Sequence, residues 1–140
     1  LTVEELQEGW DNVLIAEQTL NRKVGTINGN PYMKNLLCRN WHQVKNSTVI
    51  FAIGMFDGKK RIHISGGTGW AIQMAKDNGK PIFLFNQGLN AWFVWSFGMG
   101  KFLQYFDEPV IVENFAGIGT RALKANGRKA ILDIYKNTFE

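Results

Sequence analysis

Cysteine, proline and long apolar runs are scarce in this chain of 140 residues, which contains one Cys and three Pro. The single Cys38 excludes an internal disulfide framework, and two widely spaced His add no metal site to it. The longest apolar run, residues 49–53, is far shorter than the roughly 20 residues of a membrane-spanning helix. The first residues form an acidic amphipathic stretch, so the sequence predicts no signal peptide there. We therefore expect a cytoplasmic protein with no membrane partner and no metal.

The composition is that of an ordinary globular domain, with 45% hydrophobic and 20% charged residues. This excludes a coiled coil and a disordered chain. The net charge of +4 permits an anionic ligand without requiring nucleic acid. The 15 glycines indicate either backbone that approaches a ligand closely or many tight turns, and composition does not choose between them. We predict a single domain over residues 1–140, and the first residue, Leu1, suggests a fragment that is incomplete at its N-terminus.

Two helices are predicted in the first third of the chain. Thr2 and Glu5 form a capping box, and apolar residues at helical spacing continue to about residue 21. A glycine-containing loop follows over residues 23–30. Pro31 suits the first position of a second helix, which should end near Lys45 with Met33, Leu36, Leu37, Trp41 and Val44 on its buried side.

Residues 48–85 have the pattern of an α/β crossover unit. The run 48–53 is almost wholly apolar and β-branched, which is typical of a strand buried on both faces in a parallel sheet. A brief strand over 62–64, a helix over 70–78 and a buried strand over 82–85 follow. The predicted fold class is therefore α/β, a Rossmann-like, open and mainly parallel sheet flanked by helices.

The remaining third of the chain is less regular. Segments 91–97 and 102–106 fit either a hairpin or an aromatic cover over the sheet. Residues 109–112 are a candidate strand, residues 115–121 a second glycine-rich loop, and the last helix should open at Asn126-Gly127. Its inner face would be Ala130, Ile131, Ile134 and Tyr135.

Two glycine-rich segments, each expected between a strand and a helix, carry the strongest chemical signal. A following helix would direct its free N–H groups and positive dipole end at such a loop, where an anion such as phosphate binds. Neither segment is a complete Walker A or dinucleotide fingerprint. A tight turn without a ligand is the alternative for either segment alone. The predicted ligand-binding residues are Ser65, Gly66, Gly67, Thr68, Gly69, Gly117, Gly119, Thr120, Arg121 and Arg39.

Segment 65–69 with its helix, Gly79-Lys80-Pro81 and the next strand resembles the phosphate-binding half of the SLOG superfamily, which includes DprA (Smf) and the LOG phosphoribohydrolases. Gly119-Thr120-Arg121 resembles the family's Gly-Ser/Thr-Arg motif, which here stands near the C-terminus, so the resemblance implies a permuted strand order. The whole chain is also similar to uncharacterised phage-type members, which carry a further Ser-Gly-Gly-Ala-type loop upstream; this also favours a fragment. The motifs cover about half of the chain.

The resemblance implies a protein that binds a nucleotide or a nucleotide-derived signal of the cyclic or ADP-ribose type. For a phage protein it implies sequestration of a host defence signal in the host cytoplasm. LOG enzymes have a catalytic Glu where this chain aligns Gln73, and a carboxamide cannot transfer protons near neutral pH. We therefore expect binding with no catalytic residue and no cofactor. The alternatives are a nucleotide N-glycosidase that uses another carboxylate, Glu113 first, and DNA binding as in DprA.

Several other side chains have both a functional and a structural interpretation. Arg121 is predicted to clamp a phosphate, whereas Arg39 and His42 on the second helix face either a ligand or solvent. Trp70 and Phe115 adjoin the glycine segments and could stack on a base; core or interface positions are favoured for the other aromatic residues, Trp92, Phe93, Trp95, Phe97 and Phe102. Exposed aromatics and an incomplete sheet also predict a homo-oligomer.

Overall fold

A computed structural model describes residues 2–20, 31–107, 109–111, 114–119 and 123–139. In this part the chain forms an α/β structure with four helices and a five-stranded mixed sheet. The helices are α1 (Val3–Leu20), α2 (Pro31–Lys45), α3 (Gly66–Asp77) and α4 (Ala125–Phe139). The strands are β1 (Val49–Gly54), β2 (Phe56–Asp57), β3 (His63–Ile64), β4 (Ile82–Asn86), β5 (Ala91–Ser96), β6 (Lys101–Gln104) and β7 (Phe115–Ile118).

The five-stranded sheet has the order β6-β5-β4-β1-β7. β1 runs parallel to both of its neighbours, with Ile50 opposite Ile82 of β4 and Val49 opposite Phe115 of β7. β5 and β6 are added antiparallel to β4. The α/β class is thus confirmed, but the expectation of a mainly parallel sheet is wrong, because half of its strand pairs are antiparallel. β5 and β6 form a hairpin. A tight turn reverses the chain direction between them, so no crossover connection is needed.

The burial of β1 explains its apolar sequence. All six of its residues are buried, because helices cover both faces of the sheet. Ile50 and Ala52 belong to the large core beneath α1, α2 and α3, whereas Val49 and Phe51 contact Ile134 of α4 on the opposite face. β1 therefore joins two separate hydrophobic layers.

The predicted crossover is present, but the strand at 62–64 is not part of the main sheet. β3 pairs only with β2, as a two-residue antiparallel ribbon between β1 and α3. It returns the chain to the end of β1, where the N–H of Ser65 donates to the carbonyl of Met55 at 3.0 Å. α3 then leads back to β4, which lies parallel beside β1.

The structure decides the open questions of the last third of the chain. The hairpin alternative is confirmed, with a turn at residues 97–100 in which Gly100 has a φ of +65°. The strand predicted over 109–112 is wrong for residues 109–111, which are irregular, and residue 112 is outside the described part. The strand lies instead at Phe115–Ile118, in the segment predicted as a loop, because it completes the parallel pairing with β1.

The first two helices pack closely against each other. The predicted capping box is present, since Glu5 N–H donates to Thr2 Oγ1 at 3.1 Å and Thr2 N–H donates to a Glu5 carboxylate oxygen at 3.0 Å. These bonds with Thr2 hold the pKa of Glu5 below its usual value. Gly9 is buried against α2, where Cys38 donates weakly to the Leu6 carbonyl at 3.6 Å. Burial raises the pKa of the Cys38 thiol, which keeps it protonated and unreactive.

No helix in the described ranges is long and apolar enough to cross a membrane.

Lys76 joins α3 to the ribbon and to the hairpin. Its ammonium group donates to the carbonyl of Ile62 and lies 3.8 Å from the ring centre of Trp95. Burial is the main cause that lowers the pKa of Lys76 from 10.5 to about 8. The folded protein therefore holds this proton more weakly than the unfolded chain does.

Substitution of Gly9 tests the close packing of α1 and α2. A Cβ at Gly9 would lie 2.8 Å from Cys38 Cβ and 2.9 Å from Cys38 Cα, so the helices must separate. We expect Gly9→Ala to lower the free energy of unfolding by about 1–3 kcal/mol, measured by urea denaturation. Gly98→Ala, where a Cβ would meet nothing within 4 Å, is the control and should change it far less. Equal effects of the two variants would contradict the packing argument.

Lys76 should make stability depend on pH. Because its folded pKa of about 8 lies below the unfolded value of 10.5, the unfolded chain binds more protons between these two values. The free energy of unfolding therefore rises with pH across this window relative to Lys76→Met, which lacks the proton. Urea denaturation from pH 7 to 10 measures the difference. Lys59→Met, at an exposed residue, should leave the wild-type slope unchanged, and parallel curves for wild type and Lys76→Met would contradict the prediction.

Candidate functional site

A cleft of about 630 Å³ opens where β1 and β7 end and α3 begins. Its volume lies within the range of roughly 300–1,000 Å³ that small-molecule sites occupy. The carboxyl ends of the parallel strands of an open α/β sheet are the usual place for a ligand. The residues that line the cleft come from α2, from the start of α3 and from the end of β7: Tyr32, Met33, Leu36, Leu37, Asn40, Gln43, Ser65, Gly66, Gly67, Thr68, Gly117, Ile118 and Gly119.

The first glycine-rich segment is the opening turn of α3. The helix begins at Gly66, so the prediction that residues 65–69 form a loop before a helix at residue 70 is wrong. Ser65 is the N-cap residue, but its side chain does not cap the helix; its hydroxyl donates to the Met55 carbonyl at 3.3 Å. A Cβ at Gly66 or Gly67 would meet nothing within 4 Å. The backbone of the first turn therefore borders open space in the cleft.

The second glycine-rich segment lies directly beside the first. Gly117 belongs to β7 and Gly119 follows its end, and a Cβ at either residue would also meet nothing within 4 Å. The Thr68 hydroxyl donates to the Gly119 carbonyl at 3.2 Å and connects the two segments. Thr120 and Arg121, the other predicted residues of this segment, lie outside the described part of the chain.

Helix α2 supplies the opposite wall of the cleft, which the sequence reasoning missed. Met33 and Leu36 were predicted to lie in the core, but both are only partly buried and line the cleft. Asn40 and Gln43 lie on the same side of the helix, one turn further along. The signal in the sequence was the polar pair at this spacing beside the apolar residues, but nothing in α2 alone indicates what its face would contact.

The cleft has little side-chain charge in the described part of the chain, where no lining residue is ionisable except Tyr32. The hydroxyl groups of Ser65 and Thr68 donate to carbonyl groups of the protein in this structure, and their predicted contact with a ligand stays a prediction. Backbone N–H groups at the start of α3 are the kind of donor that suits an anion, and the helix dipole adds positive potential there.

Arg39 is not brought into this cleft. It is exposed and lines a neighbouring cavity of about 420 Å³ with Leu6, Tyr32, Asn35 and Leu36. His42, predicted together with it, lies between helices instead, with Nε2 at 2.7 Å from the Glu5 carbonyl oxygen. Its Nε2–H tautomer donates this bond, which ties α2 to α1.

Gln73, which aligns with the catalytic Glu of LOG enzymes, does not line the cleft either. Its side chain is buried, and Nε2 donates to Asp77 Oδ1 at 2.8 Å, one turn further from the start of α3. Trp70, proposed for stacking on a base, is buried in the core beneath the sheet. Both residues have structural positions, because the side of α3 that carries them faces the protein interior.

The aromatic residues after β4 also belong mainly to the protein interior. Phe93 and Phe102 are fully buried, and Trp92 and Trp95 are partly buried against other rings. Phe97 is exposed in the hairpin turn, and Phe115 is partly exposed beside β1. None of these side chains lines the cleft.

The buried residue Gln87 connects the end of β4 to the start of α4 through its side chain and its backbone carbonyl. Gln87 Oε1 accepts the N–H of Lys124 at 2.6 Å, and its backbone carbonyl accepts Nδ2 of Asn126 at 2.8 Å. A Cβ at Gly127 would overlap Gln87, which explains why a residue without a side chain stands there. The Asn126-Gly127 pair is thus explained by packing against β4.

Among the described residues, no group of three or more His, Cys, Asp or Glu is placed to hold a metal ion.

Comparison with known proteins adds no family to this picture. No protein-family model matches the chain, and neither a curated protein nor a solved structure matches it. The resemblance to the SLOG superfamily therefore stays a prediction, and the functional argument depends on the cleft itself.

Proposed function

We propose that this protein binds a phosphorylated nucleotide or a nucleotide-derived signal in the cleft between α2 and α3, and that it does not hydrolyse it. The observation that carries the proposal is the meeting of both glycine-rich segments in one cleft at the carboxyl ends of β1 and β7. The phosphate would lie against the first turn of α3. The Rossmann-like, SLOG-type interpretation of the fold agrees with this position and is part of the proposal.

Backbone groups would bind the phosphate in this arrangement. Helix α3 is 12 residues long, and no side chain from Ser65 caps it. Gly66 and Gly67 have no Cβ, so a phosphate oxygen can approach the N–H groups of this turn to hydrogen-bond distance. Arg121 follows Gly119 by two positions in the chain and is the proposed source of a positive side chain.

Hydrolysis of an N-glycosidic bond has less support from the described part of the chain. Such a reaction uses a carboxylate at the reacting bond, as nucleophile or to stabilise positive charge on the sugar. No Asp or Glu lines the cleft among the described residues, and Gln73 is directed away from it. Glu113, the carboxylate predicted for the enzyme alternative, lies outside the described residues. We therefore propose a role in which the ligand is held and released intact.

Gly67→Asp tests whether the start of α3 binds phosphate. The new side chain enters open space, and a carboxylate in the first turn of a helix does not destabilise it. Its charge should nevertheless lower the affinity for AMP, ADP and ADP-ribose by about tenfold or more, since like charges about 4 Å apart repel by roughly 1–4 kcal/mol. Isothermal titration calorimetry measures the affinities.

Gly67→Asn is the matched control, because it has the same size without the charge. It should bind these ligands more tightly than Gly67→Asp does, and thermal melting should show both variants folded. Equal affinity of wild type and Gly67→Asp would remove the start of α3 from the site.

Gln73→Glu tests whether position 73 belongs to a catalytic centre. Because the side chain is buried and bonded to Asp77, a carboxylate there would face a like charge, and we expect stability to fall by about 1–3 kcal/mol at pH 7. The loss should shrink as the pH falls toward about 4.3, the ordinary pKa of Glu, because burial and Asp77 raise the folded pKa of the new carboxyl above that value and protonated Glu donates to Asp77 as Gln does. Neither wild type nor variant should release free base from AMP, followed by chromatography. Base release that appears with Gln73→Glu would place this residue at the reacting bond and contradict the structural role.

A further inference from the structure

Two carboxamides on α2 face the cleft without an assigned function. Asn40 is partly buried and Gln43 exposed, and both line the cleft across from the start of α3. Neither side chain makes a hydrogen bond within the described part of the chain, so both carboxamides are available to a ligand.

From their position across the cleft from Gly66 and Gly67 we infer that Asn40 and Gln43 recognise the base of the bound nucleotide, and that the base is adenine. The inference rests on the proposed function, because it assumes that the phosphate lies at Gly66 and Gly67. A ligand anchored there and extending across the cleft would bring its other end to α2.

The chemistry of a carboxamide matches the edge of adenine. Its NH₂ group donates and its oxygen accepts side by side, and the N7 and N6 atoms of adenine offer the complementary acceptor and donor. Asn and Gln form this two-bond pair with adenine, whereas an uncharged aliphatic residue cannot. Two carboxamides three residues apart point from one side of a helix, so either can meet the base edge while the other contacts the ribose or a second edge.

The apolar neighbours of the carboxamides suit the faces of a base. Met33, Leu36 and Leu37 line the cleft from the same helix, and Tyr32 is 65% exposed at its border. Apolar and aromatic side chains bind the flat faces of a base, which leaves its polar edge to the amides. The lack of acidic and basic groups on this wall also agrees with an uncharged base at this end of the cleft.

The test compares AMP, UMP and ribose 5-phosphate on the same protein by isothermal titration calorimetry. Ribose 5-phosphate has the phosphate and sugar but no base. We expect wild type to bind AMP about tenfold or more tightly than either other compound, the discrimination typical of a two-bond amide–adenine pair. The double variant Asn40→Leu/Gln43→Leu should bind AMP no better than ribose 5-phosphate, with its affinity for ribose 5-phosphate unchanged.

Two further variants keep the result interpretable. Asn40→Asp retains the shape but loses the NH₂ donor, and it should also weaken AMP binding if the double variant does not fold. Asn35→Leu, on the same helix but outside the cleft, should behave as wild type.

The outcomes separate this inference from the proposed function. Equal affinity of wild type for AMP and ribose 5-phosphate, or a preference for UMP, would overturn the adenine assignment while the phosphate site stands. An equal loss of AMP and ribose 5-phosphate binding in the double variant would overturn base recognition by α2. Failure of all three compounds to bind wild type would overturn the proposed function and this inference with it.

Discussion

The parallel pairing of β1 with both β4 and β7 is the constraint on which the rest of this structure depends. It aligns the ends of the three strands, so the segments that follow β1 and β7 emerge at the same edge of the sheet. β1 can occupy this position because all of its residues tolerate burial, and helices on both faces exclude water from it. The short β2–β3 ribbon then brings the chain back to this edge before α3 starts.

The cleft results from this alignment of strand ends and from the glycines at its border, which have no side chains to fill it. Where Gly66, Gly67, Gly117 and Gly119 stand, a Cβ would enter open space, so glycine is not needed there to relieve crowding. Gly66 has a φ of +72°, which favours glycine for its conformation, but the other three have no such requirement. The proposed ligand would give a common reason for all four, because it would approach their backbone closely, whereas packing explains Gly9 and Gly127.

The described lining of the cleft is partly polar but almost without charge, which agrees with the proposed binding role. Its described lining offers backbone donors, hydroxyls already bonded to carbonyl groups, carboxamides and apolar side chains. The one described group with a strongly shifted pKa, Lys76, lies at the far end of α3, where it holds the hairpin to the ribbon. The strongly shifted pKa therefore belongs to a residue that makes packing contacts, whereas in catalytic centres the shifted pKa values occur near the substrate.

The sequence by itself determined the features that depend on near neighbours in the chain. The Thr2 capping box, the bounds of α2, the end of α3 before Gly79 and the apolar strands β1 and β4 are set by local patterns, and these predictions are confirmed. The α/β class followed from the alternation of these elements.

Only the tertiary structure decided what the glycine-rich segments become and what lies opposite them. Ser65–Gly69 and residues 115–119 carry the composition of loops, yet one opens a helix and the other holds a strand, because contacts with β1 outweigh the weak local preferences of glycine. Likewise, no pattern in α2 shows that Met33, Leu36 and Asn40 face a cleft while Trp41 and Val44 reach the core. Helical periodicity shows which residues share one side of a helix, but what that side packs against depends on residues distant in the chain.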